Sequence, residues 1–435
     1  MLIQNATIIT QNANREIIPH GYIYIVDDSI AVVGKGDYEG DLRAGEETID
    51  ASGLIVSPGF INAHVHLGET IYTGFMNGWY DLEKYIEFTN RLSTVSSTIE
   101  DARRLICDYS LLQLIRSGAT TIAGGRTNES SEPFGLRNVS AYMLMQSPKL
   151  GKFGENIEEQ FEKFYLGLNQ SISRPALFVH SLGTVSEEML SLARDLKTKY
   201  SDILIMAHIA ETAKTEAESK DAFGLTSVHV LQKYNLLGKQ TLLIHGNNLS
   251  SEDASLINRS NSSLVHCLSS NLRVADNTAD IWSLLQNNIS VSIATDGVAT
   301  AGTFSVLSEA RRCYFFHNRF CPEECHVSAQ DILDMITISP AKSLRMFTEV
   351  GSIEPGKKAD ITLLRGSHFS RTNPVDSLIT NDSIVVEGVI VGGKKLLWQD
   401  NLLVGDEQKI IDDFAYVTEK VRSDIARTTS SQTHE

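Results

Sequence analysis

Two histidines separated by a single residue end an apolar stretch near the beginning of the chain. His64 and His66 follow residues 55–61, a run whose composition predicts a buried strand broken by a turn. Residues two apart on a strand point to the same face, so both imidazoles are predicted to face one space while Val65 packs outward. Two neutral imidazoles supply half of a metal site. The same pair is also typical of hydrogen-bonded core histidines, so the rest of the chain has to decide.

Three later residues that can bind a metal or move a proton also stand at the ends of predicted strands. His208, His245 and Asp296 each come directly after an apolar run or one residue beyond it. If these strands are parallel members of one barrel, their carboxyl ends meet at a common mouth. Three histidines and one carboxylate there would bind a divalent ion and leave a position for water. One polar strand end often only caps a loop, but five such positions on four strands favour a metal site.

The segment that must position these residues alternates strand-like and helical patterns from residue 57 to residue 349. Counting the first run, eight strands are predicted, at residues 55–61, 119–123, 140–145, 176–179, 203–207, 241–244, 263–265 and 289–294. Eight β-α units predict an α/β fold with a (β/α)8 TIM barrel, whose usual length is about 250 residues. A doubly wound open sheet is the alternative, but it does not require eight strands.

The two ends of the chain have a different texture from the middle. Residues 1–56 read as short strands separated by Asn, Asp and Gly, and strand patterns return after residue 349. We therefore expect residues 1–56 and 350–405 to form one small β-sandwich domain beside a hydrolase barrel at residues 57–349. Residues 406–435 carry mixed charges, and a helical or disordered C-terminal tail is expected there.

Composition excludes several classes of partner. The chain has 435 residues, of which 42% are hydrophobic, and a net charge of -16, without a run rich in Lys or Arg. Nucleic acid and anionic membranes are therefore not expected as partners. No apolar stretch approaches the length that spans a bilayer, and no secretory signal pattern is visible. Five scattered cysteines do not resemble a disulfide framework, which favours a cytoplasmic protein. We also expect a homo-oligomer, either a dimer or a tetramer.

The motifs around these residues resemble the amidohydrolase superfamily. The resemblance lies in residues 58–66, in His208-Ile209-Ala210-Glu211-Thr212 and in Thr295-Asp296-Gly297, with further matches at residues 180–186, 266–272 and 351–360. It covers the chain to about residue 400. Within the superfamily the sequence is similar to the ATZ/TRZ branch, which contains triazine hydrolases and adenosine-type, S-adenosylhomocysteine, guanine and cytosine deaminases.

The resemblance implies one metal ion. Its ligands would be His64, His66, His208 and Asp296. Superfamily members with two metals usually carry a carboxylated lysine after the fourth strand, whereas this strand ends in Phe178-Val179-His180. One divalent ion is therefore expected, with zinc as the first choice and iron as the alternative in this branch.

The resemblance also implies roles in catalysis. Glu211 would carry a proton to the substrate nitrogen, His245 would orient the attacking water or the substrate oxyanion, and His180 matches a position that often contacts substrate. Asp296 can take the water proton while it stays near the ion. The expected activity is that of a mononuclear amidohydrolase, in which metal-bound hydroxide attacks an amidine-like carbon. It would release ammonia or an amine from a small amino-heterocycle or guanidino compound.

Departures from the branch concern the substrate. Adenosine-type deaminases usually carry an acidic residue that holds the ribose hydroxyls, and the corresponding position here is Thr89. A nucleoside substrate is therefore in doubt. Glu69, three residues beyond His66, is not the common choice in the branch, and we predict that it binds a cationic or hydrogen-bond-donating substrate group. The alternative for Glu69 is a solvated loop carboxylate. Trp79 is a further candidate substrate-binding residue.

Two other functions fit the same machinery. A biosynthetic cyclase could run the site toward ring closure, and a catalytically inactive scaffold could keep the fold alone. Cys313, His317, Cys321, Cys325 and His326 could in addition form a second zinc site, but Pro322 interrupts their helical spacing. Buried thiols and an ordinary surface histidine are the interpretation that we favour for this group.

Overall fold

The chain forms two sheets with helices packed around them. The computed structural model describes residues 1–75, 81–125, 132–146, 156–319, 323–366 and 368–432. The strands are β1 (Leu2–Ile9), β2 (Ile17–Val26), β3 (Ser29–Lys35), β4 (Thr48–Asp50), β5 (Leu54–Pro58), β6 (Phe60–His66), β7 (Ala119–Gly125), β8 (Arg137–Leu144), β9 (Ser173–Ser181), β10 (Leu204–Ile209), β11 (Thr241–His245), β12 (Ser263–His266), β13 (Ser290–Ile293), β14 (Asp296–Gly297), β15 (Ile361–Arg365), β16 (Val385–Val391), β17 (Lys394–Trp398) and β18 (Asn401–Leu402).

The α-helices mostly follow the strands of the middle segment. They are α1 (Leu82–Ser96), α2 (Ala102–Arg116), α3 (Ile157–Gly167), α4 (Glu187–Lys199), α5 (Ala213–Phe223), α6 (Ser227–Lys233), α7 (Ser251–Ser260), α8 (Leu268–Val274), α9 (Ile281–Gln286), α10 (Val298–Ala301), α11 (Val306–Arg319), α12 (Ala329–Asp334), α13 (Ile338–Ser343), α14 (Pro374–Thr380) and α15 (Glu407–Gln432). Short 3₁₀ helices lie at Leu67–Tyr72, Glu132–Phe134, Leu182–Thr184 and Glu323–Cys325. Among the described residues, each helix is too short or too polar to cross a lipid bilayer.

The middle sheet is a closed parallel barrel. Strands β6 to β12 pair in chain order, each parallel to the next. The eighth position is shared by β13, which pairs with β12, and β14, which pairs back with β6. In that last pairing Asp296 lies opposite Val65 and Gly297 opposite His66. The predicted (β/α)8 barrel is confirmed.

Both faces of the barrel strands are buried, which explains their continuous apolar runs. Leu204, Met206 and Leu242 belong to the apolar cluster inside the barrel. Ile205 and Leu243, one residue along their strands, belong to the cluster between the barrel and its outer helices. Period-2 alternation therefore holds along most of each strand, and the exceptions mark the functional strand ends.

The second sheet takes strands from both chain ends, as predicted. Its described strands run in the order β18-β17-β16-β15-β5-β1-β2-β3, with β4 paired to β1. They enclose a separate apolar core that includes Ile23, Val56, Ile361 and Ile390. The division of the chain into domains at residues 56/57 and 349/350 stays a prediction.

A short connection carries the chain from this sheet into the first barrel strand. β5 ends at Pro58 and β6 begins at Phe60, so Gly59 is the only residue between them. A Cβ at Gly59 would collide with the side chain of Thr120, and only glycine fits this approach. The strand that carries His64 and His66 is thereby held by both sheets.

The C-terminal tail is a helix that packs on the barrel. Phe414 of α15 stacks on Tyr109 of α2, with ring centroids 4.0 Å apart and planes 7° apart. Val417 and Val421, three and seven residues further along, are fully buried in the same contact. The assignment of residues 406–435 as a separate tail stays a prediction.

A buried ion pair joins the barrel to the second sheet. Arg137, at the start of β8, donates from Nε to Asp360 Oδ2 at 2.6 Å and from Nη2 to Oδ1 at 3.1 Å. The backbone N–H of Gly392 also donates to Asp360 Oδ1, at 2.8 Å. Both charged side chains are almost completely buried. Removal of either one would leave the other charge buried without its partner.

We predict that Arg137→Met lowers the free energy of unfolding by about 3–5 kcal/mol, because Asp360 keeps its buried charge. The double variant Arg137→Met/Asp360→Leu should recover part of this loss. Arg104→Met is the control, since it breaks exposed pairs with Asp101 and Asp108 that are worth at most about 1 kcal/mol. Urea unfolding of the three variants measures the difference. Equal losses for the two single variants would contradict the prediction.

Candidate active site

Four side chains meet at the carboxyl end of the barrel. They are His64 and His66 of β6, His208 of β10 and Asp296 of β14, and their four ligand atoms all lie within 4.8 Å of one another. His64 Nε2 is 3.0 Å from His66 Nε2 and 3.2 Å from His208 Nε2. Asp296 Oδ1 is 3.0 Å from His66 Nε2 and 3.3 Å from His64 Nε2. The structure therefore brings together all four residues predicted as metal ligands.

The geometry of this cluster fits one divalent ion. His64 Nε2 faces two other ring nitrogens and a carboxylate oxygen, so one hydrogen on it could not satisfy all three contacts. Ligands about 2.0–2.2 Å from a tetrahedral ion are about 3.3–3.6 Å apart, close to the separations observed. The predicted single metal ion thus agrees with the donor set.

Burial sets the protonation of the cluster. It lowers the pKa of His64 to about 4 and lowers that of His208 well below its usual value. Burial alone would raise the pKa of Asp296, but hydrogen bonds from His64 and His66 hold it well below its ordinary range. Neutral imidazoles with lone pairs and an ionised carboxylate are the forms that bind a metal ion.

Left-handed backbone turns the functional side chains toward the centre. Ala210, His245 and Asp296 have φ angles of +46°, +74° and +61°, a region that non-glycine residues rarely adopt. Alternation along β11 would point His245 outward, since Ile244 faces the barrel interior. The turn at His245 brings its ring to 5.2 Å from that of His208. The turn at Ala210 likewise redirects Glu211. Such strain is typical of functional sites.

Glu211 lies beside the four-residue cluster without belonging to it. Its Oε1 is 3.7 Å from His245 Nε2. Burial raises the pKa of Glu211, which favours a protonated carboxyl. Asn247 Nδ2 donates to the backbone carbonyl of Glu211 at 3.0 Å and holds this segment in place. The arrangement suits a group that carries protons over the centre.

Two supporting residues were not predicted from the sequence. Ser270 Oγ donates to Asp296 Oδ2 at 2.6 Å, and Asn271 Oδ1 is 2.9 Å from His245 Nδ1. Both are buried on α8. They lie in residues 266–272, a segment that matched the superfamily but received no role, so the motif was the available signal.

The predicted substrate-binding residues are only partly placed. The ring of His180 is 5.0 Å from that of His208, beside the cluster. Glu69 Oε1 is 3.6 Å from His66 Nδ1, and its other oxygen accepts a hydrogen bond from Tyr85. Trp79 lies outside the described residues. Roles in substrate binding stay predictions for all three.

The cysteine-rich group does not form a second centre among the residues that the structure describes. His317 Nε2 is 3.1 Å from His266 Nε2, and Cys313 is buried, which raises the pKa of its thiol. Within the described ranges, the cluster at the barrel mouth is the only group of three or more His, Cys, Asp or Glu side chains close enough together to hold a metal ion. Cys321 lies outside the described residues.

Comparison with known proteins decides the family. Residues 55–396 match the amidohydrolase family. The chain belongs to the amidohydrolase family. A curated relative, 5'-deoxyadenosine deaminase of Methanosarcina mazei, is 26% identical over 97% of this chain and 98% of its own length. The 5-methylthioadenosine/S-adenosylhomocysteine deaminase of Acetivibrio thermocellus is 28% identical over 94% and 96%.

Solved structures agree with this fold. The atrazine chlorohydrolase TrzN of Arthrobacter aurescens TC1, complexed with zinc, superposes with a TM-score of 0.85 at 22% identity, over 96% of this amidohydrolase and 99% of its own chain. An adenosine deaminase of Xanthomonas campestris with bound zinc gives 0.86 at 19% identity, over 97% and 98%. The predicted superfamily, fold and enzyme class, a hydrolase of C–N bonds other than peptide bonds, are confirmed.

We predict that this amidohydrolase binds about one divalent ion per chain, because its donor set forms a single site. His208→Ala removes one ligand and should leave far less metal after mild dialysis, as measured by elemental analysis. His317→Ala, which removes a histidine outside the cluster, should retain the wild-type content. Two tightly held ions per chain, or full occupancy in His208→Ala, would contradict the assignment.

Proposed function

We propose that this amidohydrolase is a hydrolytic deaminase of an amino-substituted nitrogen heterocycle. Water adds to the amidine-like carbon, the C–N bond to the amino group breaks, and ammonia leaves a carbonyl product. One observation carries the proposal: Glu211, whose pKa is raised by burial, lies beside the metal-binding cluster and 3.7 Å from His245. A carboxyl group so placed can deliver a proton to the leaving nitrogen.

The metal would be held by the four residues at the barrel mouth. Zinc is the first candidate, since both structures compared above contain it. When bound, a divalent ion lowers the pKa of a water molecule from 15.7 toward about 7, so that hydroxide is available at neutral pH. The proton transfers of the reaction would then be carried out by side chains of this protein.

Asp296 and Glu211 divide the proton transfers between them. Oδ1 of Asp296 faces the cluster and can accept the proton of the attacking water, while Oδ2 is held by Ser270. Glu211 first protonates a ring nitrogen, which makes the attacked carbon more electrophilic. Glu211, now ionised, accepts the remaining hydroxyl proton as the carbonyl forms and passes it to the amino group, so that ammonia departs neutral. The proton held by Asp296 then restores the protonated form of Glu211. General acid-base help of this kind is worth about 10²–10⁴-fold in rate.

Two observations point to different substrate classes. The curated relatives are named as deaminases of 5'-deoxyadenosine and of 5-methylthioadenosine or S-adenosylhomocysteine, which supports an aminopurine nucleoside. Thr89 stands where adenosine-type deaminases carry a ribose-binding carboxylate, and its hydroxyl donates to the carbonyl of Ile86 within α1. That difference supports a smaller compound without a ribose. A substrate panel should therefore pair each nucleoside with its free base and add aminotriazines and guanidino compounds.

The alternatives have less support. Relatives named as deaminases favour hydrolysis over ring closure. A complete donor set with Glu211 and His245 beside it favours an enzyme over an inactive scaffold. The homo-oligomer, the cytoplasmic location and the exclusion of nucleic acid stay predictions.

We predict that Glu211→Gln keeps the metal and the fold but lowers kcat about 10²–10⁴-fold, because Gln keeps the shape and cannot transfer a proton. Ammonia release from the best compound of the panel measures turnover, and elemental analysis measures the metal. Asp296→Asn should differ by losing metal as well as activity. A wild-type kcat in Glu211→Gln at unchanged metal content would reject the deaminase mechanism.

A second prediction concerns the substrate role of Glu69. Glu69→Gln should raise KM more than it lowers kcat for a cationic compound and should change little for a neutral one, because a carboxylate pairs with a cation. Tyr85→Phe is the matched control, since it removes the hydrogen bond to Glu69 and keeps the carboxylate. Equal changes of KM and kcat for cationic and neutral compounds would contradict the substrate-binding role and indicate that Glu69 acts through its contact with His66.

A further inference from the structure

One turn of α8 holds two residues of the reaction centre through separate hydrogen bonds. Ser270 donates to Asp296, and the next residue, Asn271, contacts His245. Both side chains are about 1% exposed. The turn itself is anchored by the buried carboxylate of Glu309, which accepts from Ser269 N at 2.6 Å and from Ser269 Oγ at 2.7 Å.

We propose that Asn271 is a positioning residue that fixes the tautomer of His245. The inference rests on the deaminase function proposed above. Asn271 Oδ1 lies 2.9 Å from His245 Nδ1, and an amide oxygen has no hydrogen to donate. Nδ1 of His245 must therefore carry the hydrogen of this bond. In the neutral ring, Nε2 is then left with a lone pair.

The amide of Asn271 lies between His245 and Thr278. Oδ1 faces the imidazole, and Nδ2 faces Thr278 Oγ1 at 3.5 Å. The backbone of Asn271 is fixed as well, because its N–H donates to Cys267 and its carbonyl accepts from Ala275, both at 2.9 Å. Backbone hydrogen bonds to Cys267 and Ala275 thus fix the helix turn that presents Asn271 Oδ1 to the imidazole of His245.

The tautomer decides what His245 can do at the reaction centre. Its Nε2 faces the space beside Glu211, and its left-handed backbone prevents the ring from following the strand direction outward. A neutral Nε2 accepts a hydrogen bond from the attacking water and cannot donate one to a substrate oxyanion. Of the two roles that the superfamily leaves open for His245, the orientation of water is the one that fits.

The same geometry gives each hydrogen of the attacking water an acceptor. The attacking water would direct one O–H to Asp296 Oδ1, which would take the proton, and the other to Nε2 of His245. Ser270 keeps Oδ1 in that direction by holding Oδ2. A buried acceptor on Nδ1 has the same tautomer-setting role in serine protease triads.

Three variants of the metal-loaded protein test the proposal. Asn271→Leu keeps the size of the side chain and removes the acceptor, so kcat should fall about 10–100-fold with metal content and KM nearly unchanged. Asn271→Asp restores an acceptor and should recover most of that loss. Leu272→Ala is the matched control on the same helix, because this neighbouring side chain is apolar and exposed, and its kcat should stay within about twofold of the wild type.

Imidazole ¹⁵N NMR supplies a readout that a purely structural role would not move. The His245 signals are assigned by their loss in His245→Gln. We expect a protonated Nδ1 and a pyridine-type Nε2 in the wild type and in Asn271→Asp, and a shift of the hydrogen toward Nε2 in Asn271→Leu. A hydrogen on Nε2 in the wild type would overturn the proposal, as would wild-type kcat in Asn271→Leu.

The NMR measurement also separates this inference from the proposed function. It needs no substrate, so absence of ammonia release from every compound would reject the deaminase activity and leave the tautomer measurable. If Asn271→Leu does not fold, the wild-type spectrum and Asn271→Asp still decide the outcome. A wild-type tautomer in Asn271→Leu, or an equal loss of kcat in Leu272→Ala, would reduce Asn271 to a structural role and reject the proposal.

Discussion

The seam between the first and eighth barrel strands is the constraint on which the candidate site depends. Asp296 pairs with Val65 across this seam, and its carboxylate meets the two histidines of β6 only because the sheet closes there. Asn62 and Thr295 secure the closure, since Asn62 Nδ2 donates to Thr295 Oγ1 at 2.7 Å and Thr295 N donates to Asn62 Oδ1 at 3.2 Å. These residues are 233 positions apart in the chain. An open sheet would separate the ligands completely.

Strained backbone is the cost of directing side chains toward one point. Left-handed residues other than glycine cost about 1–3 kcal/mol each, and three of them occur at the strand ends of this site. Neighbouring loops offset the cost by bonding to each other. Gly246 N donates to the carbonyl of Ile209 and Asn248 N to that of Ala210, both at 3.0 Å. The loop after β11 therefore fixes the turn that redirects Glu211, and the two strand ends stabilise each other.

The sequence predicted the strands and residues of this site better than the directions in which their side chains point. Apolar runs alternating with helical patterns indicated the eight strands, and histidine or aspartate at four strand ends indicated a metal site, since periodicity and residue type are local signals. The choice of His64, His66, His208 and Asp296 as ligands came from the resemblance to the superfamily. His245 was placed at the site by its position at a strand end and received its role from the family motifs, whereas simple alternation would have placed its ring outside the barrel. A register shift in β6 between Asn62 and Val65 similarly lets Ala63 and His64 both avoid the outer face. Bulges and positive φ angles depend on contacts between distant segments, which a single sequence does not display.

Glu69 lies next to His66, a predicted metal ligand, and is itself a predicted substrate-binding residue. A side chain at Gly297 would collide with the carboxylate of Glu69, so the glycine after Asp296 leaves the space that Glu69 occupies. From there Glu69 reaches His66 on one side and Tyr85 of α1 on the other. Glu69 therefore contacts His66 of β6, Gly297 of β14 and Tyr85 of α1. A substitution at Glu69 would therefore also alter the environment of His66.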